Sequence, residues 1–213
     1  MIARKAVGVP PALFQGTNRV LRPKDITDVY AHPRGELARL THTGAVRRLA
    51  TGYYALAPQH RLGDPRWRPG LHAAALGVAQ ADYGAEAVAL MGGSAARYHG
   101  AIPREMASAV VAIPKQRPPL RLEGGEVVFV CRNIARLDVE RVSTELGTGW
   151  VTTVEQTMLD LADRPTLGGL TEQTTVEAIQ ALAIRADREL LIRLVHAQHK
   201  PAALHRIHEL AGW

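Results

Sequence analysis

The stretch GELARLTHTGAVRRLATGYYALAP, residues 35–58, decides how the rest of the chain is read. Leu37 and Leu40 sit at helical spacing, and Pro33 just upstream suits an opening helical turn, where its missing N–H costs nothing. Gly44 is placed to end that helix as a left-handed C′ residue. Two short runs then flank Ala50-Thr51-Gly52, with Gly52 supplying a hairpin turn. Upstream, a helix is predicted near 11–21, with Pro11 in its first turn. Another is predicted near 23–30, with Ile26, Val29 and Tyr30 at i, i+3, i+4. Helix, helix, turn, helix, hairpin is the order of a winged helix-turn-helix, whose third helix enters the major groove while the hairpin lies along the backbone.

Charge distribution supports the same reading. The 213 residues carry 26 Lys and Arg against 20 Asp and Glu, a net charge of +6. Residues 1–60 hold nine of the basic and three of the acidic groups, leaving 17 of each in the remainder. All the excess positive charge therefore belongs to the first 60 residues, which points to a basic module facing a polyanion and joined to a neutral one. A hydrophobic fraction of 46% excludes a disordered chain, and 213 residues suffice for two small cores. The single Cys131 excludes an internal disulfide, and no C-x-x-C pair offers a zinc site. No segment approaches the roughly 20 apolar residues of a membrane span. The expected setting is the cytoplasm, with no membrane partner and no cofactor.

The Gly/Pro-punctuated stretch 61–70 marks the boundary, giving modules 1–60 and 61–213. The second reads as a mixed α/β domain. A helix is predicted over 71–82 and strands over 108–113, 120–122, 126–131, 141–144 and 150–152. A further helix spans 153–162, where Thr153 and Gln156 fit a capping box. From Glu172 onward the pattern is helical, with helices over 186–196 and 202–210. The fold class is α+β: a winged helix-turn-helix, then a mixed domain with a helical C-terminal part.

In the basic module, Arg34 and Arg39 lie on the third helix, followed by the hydrogen-bonding heads of Thr41, His42 and Thr43. Arginine on guanine and hydroxyls on phosphate are the contacts such a helix makes. Arg22 and Lys24, before the second helix, can hold the phosphate backbone. Arg47 and Arg48 are adjacent on a strand and point to opposite faces, so one of the two reaches DNA. The same residues are compatible with a solvated basic surface on a protein-binding winged helix.

Beyond the module, Met91-Gly92-Gly93-Ser94-Ala95-Ala96 departs from the hydrolase elbow G-x-S-x-G at Ala96 and lacks the G-K-[ST] of a P-loop. Ser94 reads as a helix N-cap, with anion binding beside Arg97 as the alternative. Asp160 and Asp163 can share one helix face around a magnesium ion, or can simply cap or pair with an arginine. His196, His199, His205 and His208 recur as H-x2-H-x5-H-x2-H, but Pro201 separates the pairs and no other ligand type accompanies them. Trp67, Trp150 and Trp213 are expected in the core or between the modules.

Several of these motifs resemble one family. Gly52-Tyr53-Tyr54-Ala55-Leu56 is similar to the end of the N-terminal winged helix of AbiEi antitoxins, the partners of nucleotidyltransferase toxins in AbiE-type (type IV) toxin–antitoxin pairs. Ser94-Ala95-Ala96-Arg97-Tyr98-His99-Gly100 also matches. The run from Val151 to Leu161 resembles the family's V-T-x-x-E-R-T-x-x-D helix start, with Gln156 where arginine is usual. The resemblance implies binding to operator DNA of the chain's own operon and neutralisation of a cognate nucleotidyltransferase toxin. Two alternatives accompany it: an antitoxin acting as an atypical protein kinase that phosphorylates the toxin, with Ser94, Arg97, Asp160 and Asp163 near the nucleotide, and a plain winged-helix regulator.

Overall fold

The central strand of the protein is SAVVAI, Ser108–Ile113, in which five of six residues are buried. Both faces must therefore be covered. In the computed structural model, which describes residues 8–213, this strand (β5) lies inside a six-stranded mixed sheet. The sheet contains β4 (Ala89–Leu90), β6 (Leu120–Leu122), β7 (Gly125–Cys131), β8 (Val139–Thr144) and β9 (Gly147–Thr152), in the order β6-β7-β5-β4-β9-β8. The pairs β5–β7 and β4–β9 are parallel and the others antiparallel.

The period-two alternation of β5 divides the core. Ala109, Val111 and Ile113 join Leu76, Val78 and Ala79 of α2 (Leu71–Tyr83) on one face. Val110 and Ala112 join Met91 and Val130 on the other. A helical cluster packs beyond that second face: α3 (Gly93–Tyr98), α4 (Val154–Asp163), α5 (Glu172–Ala183), α6 (Arg188–Gln198) and α7 (Pro201–Ala211). Its core includes Met158, Leu161, Ile179, Leu191 and Ile207. The predicted strands and C-terminal helices thus form within a few residues of their expected limits, while β4 is an addition.

The N-terminal segment differs more from expectation. Only the third predicted helix is an α-helix, α1 (Pro33–His42). Its end is the expected one: Gly44 has φ +72, with Gly44 N–H donating to Thr41 and Ala45 N–H to Leu40, a Schellman closure. The hairpin of β2 (Val46–Ala50) and β3 (Tyr53–Leu56) also forms as read. The helix expected over 11–21 is one 3-10 turn at Pro11–Phe14, followed by a strand, β1 (Val20–Leu21), paired with Ala55 and Tyr54 of β3. Strand pairing captures these residues because the free edge of β3 satisfies their backbone groups, which local helix propensity cannot outweigh. The second expected helix is a 3-10 turn at Pro23–Ile26, capped through Arg22 and Asp25. Leu13, Ile26, Leu37, Leu40 and Leu56 form a separate small core beneath these elements.

The segment is not tethered by its linker alone. Val20, Leu49 and Ala55 belong to the core built on α2 and the large sheet. Asn18 Nδ2 donates to the carbonyl of Gly77 at 2.8 Å, and Arg19 N–H to that of Leu146 at 2.8 Å. A Cβ at Gly77 would lie 2.4 Å from Val20 Cγ2 and 3.1 Å from Asn18 Oδ1. Gly77→Ala gains up to ~1 kcal/mol of helix propensity, but Val20 is buried and pinned in β1, so overpacking by ~1–3 kcal/mol prevails. Net destabilisation, measured by urea unfolding, is the expected outcome; a more stable variant would show that β1 can retreat from α2.

Candidate nucleic-acid interface

The exposed basic side chains of the N-terminal segment are presented by α1, the 3-10 turn before it and β2. Lys24 and Arg34 are exposed and line a cleft of about 440 Å³ with His32 and Gly35 at the start of α1. Arg39 is exposed and pairs with Glu36 of its own helix, at 2.8 Å. His42 is exposed at the end of α1, whereas Thr41 is half-buried and its hydroxyl donates to the Leu37 carbonyl. Arg48 is exposed beside the hairpin tip and donates to Thr51 Oγ1. Among the described residues, no ion pair joins Lys24, Arg34, Arg39 or Arg48 to residues 61–213.

Two of the expected residues are placed otherwise. Arg22 is held by Asp25 and by Asp82 of α2, each at 2.8 Å. Arg47 is held by Glu123, with Nε 2.7 Å from the carboxylate. Strand alternation thus turns Arg48 to the surface and Arg47 toward the β6–β7 turn. Asp82 and Glu123 carried no sequence signal, since their partners lie 29 to 76 positions away.

Ser94, Arg97, Asp160 and Asp163 are not assembled around one pocket. Ser94 is the second residue of α3 and caps nothing; the N-cap position is Gly92, at φ +53. The chain turns away after β4, which frees the Val110 N–H of β5, and Ser94 Oγ accepts it at 2.7 Å. Arg97 donates to the carbonyls of Ile102, Pro103 and Arg104, closing the loop after α3. It also lines a cavity of about 370 Å³ with His72, Arg68, Glu105 and Glu123. Burial and the nearby Arg97 charge push the His72 imidazole down to about 4.

On α4, Thr153 Oγ1 caps Gln156 N–H, but the Gln156 side chain does not complete a capping box. It is buried, donates to Asp160 Oδ1 at 3.1 Å and pairs with the amide of Gln198. Asp160 is 2% exposed, its Oδ2 lacks a hydrogen-bond partner, and burial pushes its carboxyl up to about 6 against the pull of Lys200 and Arg132. Asp163 lies at the surface, 2.9 Å from Lys200 Nζ and 3.5 Å from Arg132. Among the described residues, no group of three or more His, Cys, Asp or Glu side chains converges on a metal position. His199 is the left-handed C-cap of α6, and His205 pairs with Glu209 at 3.3 Å. Trp150 is half-buried, stacked under Arg141 and donating to Glu86. Trp67 packs at the edge of the α2 core and Trp213 at that of the helical cluster.

Fold and surface together define an α+β protein in which a small basic three-stranded unit is seated on a mixed sheet backed by helices. Residues 87–212 match the family model of the AbiEi antitoxin C-terminal domain. The chain belongs to that antitoxin family, and the family implies a toxin as partner. In fold it is similar to the crystal structure of RV2827C protein from Mycobacterium tuberculosis, with TM-score 0.61 and 20% identity over 94% of this chain and 74% of that one. No curated protein matches the chain. Among the described residues no helix is long and apolar enough to cross a membrane.

Proposed function

We propose that the protein is a cytoplasmic antitoxin that binds the operator of its own operon through residues 1–60, acting as a winged helix-turn-helix, and neutralises a nucleotidyltransferase toxin through residues 61–213. The observation that carries the DNA half is the concentration of the whole net charge in the first 60 residues, with Lys24, Arg34, Arg39 and Arg48 exposed on neighbouring elements. Arg4 and Lys5 contribute to that charge but lie outside the described residues. Phosphate contacts release counterions, so log Kd against log salt should rise with a slope of roughly 0.9 per neutralised phosphate. Fluorescence anisotropy with the duplex upstream of the gene, titrated with salt, tests this. A shallow slope with weak binding would remove the DNA reading.

The toxin half rests on family membership. Co-expression with an adjacent nucleotidyltransferase gene should restore growth, whereas a plain regulator would leave the toxin active. The alternative in which the toxin is phosphorylated has less support, since Asp160 is buried against Gln156 and Asp163 is ion-paired with Lys200.

A further inference from the structure

We infer that Asp82 and Glu123 are positioning residues that fix the basic module on the antitoxin domain, and that Arg22 and Arg47 serve this junction instead of contacting nucleic acid. The second half of the inference rests on the DNA-binding reading above. Asp82, on α2, is reached by three groups at once. Arg22 Nη1 lies 2.8 Å from Oδ1, Tyr53 Oη of β3 lies 2.6 Å from Oδ2, and Arg117 of the antitoxin domain also donates to Oδ2. The side chains of Asp82, Arg22 and Arg117 are each only 17–20% exposed, so this network is better shielded than an ordinary surface pair.

Glu123, at the β6–β7 turn, forms the second hub. Arg47 of β2 approaches it with two guanidinium nitrogens, and Arg68 of the linker donates at 2.9 Å. Hydrogen bonding from Arg47 holds the Glu123 carboxyl below its usual range. Beside this hub, the Glu123 N–H donates to the Leu49 carbonyl at 3.1 Å, joining the small sheet to an edge of the large one. Asp82 therefore receives arginines from both sides of the 61–70 linker, and Glu123 receives one from β2 and one from the linker itself. An arginine that moved to a phosphate would leave a carboxylate behind and open the junction. Arg39 and Arg48 carry no such linkage.

Limited trypsin digestion of the full chain reads the junction directly, because Arg61 and Arg66 lie in the linker and are exposed. Arg22→Gln/Arg47→Gln and Asp82→Asn/Glu123→Gln should both speed linker cleavage about tenfold, which corresponds to ~1.4 kcal/mol of easier local opening. The double variant Arg47→Gln/Glu123→Gln should be cut no faster than Glu123→Gln alone, because the two changes remove one interaction. In parallel, anisotropy with the duplex upstream of the gene should show less than about threefold weakening for Arg22→Gln/Arg47→Gln, against ~100-fold for Arg39→Ala/Arg48→Ala at unchanged cleavage. Comparable weakening by the two arginine pairs, with the linker still protected, would overturn the inference and make Arg22 and Arg47 DNA contacts. Additive cleavage rates would overturn it equally, including where a hub variant is poorly folded. Duplex binding that survives Arg39→Ala/Arg48→Ala would instead defeat the DNA reading, while the cleavage rates still decide the junction.

Discussion

Alanine at both Arg39 and Arg48 is expected to weaken operator binding ~100-fold while leaving the fold intact. A well-placed arginine contact to a base is worth about 1–3 kcal/mol, and two lost contacts at ~1.4 kcal/mol each give ~2.8 kcal/mol, or ~100-fold in Kd. The structural cost is small on both sides. Arg39 gives up a half-exposed i,i+3 pair with Glu36, and Arg48 gives up a hydrogen bond to Thr51. Exposed pairs of this kind contribute little to stability. The salt slope should fall by about one for each of the two residues that meets a phosphate. Anisotropy at two salt concentrations, with circular dichroism as the fold control, distinguishes the outcomes. Wild-type affinity in the double variant would remove α1 and β2 from any DNA interface.

Asp160→Asn is expected to stabilise the protein above neutral pH by about 3 kcal/mol and to change little below pH 4. Asp160 has an ordinary carboxyl value of 3.8, and burial pushes it up to about 6 in the folded protein. Folding therefore favours the protonated acid. The stability associated with that proton is fully present below the unfolded value and is lost as pH rises through about 6. A gap of roughly two pH units corresponds to ~3 kcal/mol between the two limits. Asparagine has nearly the shape of the protonated acid, keeps an acceptor for the Gln156 amide and removes the buried charge. Urea unfolding of both proteins at pH 4.5, 6 and 7.5, spanning about the window of the shift, should show a slope in the wild type that the variant lacks. Equal slopes would mean that Lys200 and Arg132 hold the carboxylate ionised throughout.

Elements whose signals were local could be read directly. Gly44 ends α1 because the backbone there needs a positive φ, and Thr153 caps α4 through its own hydroxyl. The alternation in β5 follows from burial on both faces of a sheet. The failures share one cause. Val20 and Leu21 form a strand because β3 lies beside them, and Ser94 bonds to β5 because that strand has lost a ladder partner nearby. Gln156 turns inward to Asp160 and Gln198 when a capping role was available. In each case the deciding partner lies on another element.

The arginines of residues 35–58, with Arg22 and Arg34 before them, show the same division. Sequence alone determined that the excess positive charge sits in the first 60 residues, and that Arg47 and Arg48 must face opposite ways, because charge is additive and a strand alternates every residue. Tertiary structure decided which way each one faces. Arg47 meets Glu123 across 76 positions and Arg22 meets Asp82 across 60, leaving Lys24, Arg34, Arg39 and Arg48 on the exposed surface. No local pattern encodes those meetings, since an ion pair depends on where folding brings a carboxylate and not on its distance along the chain.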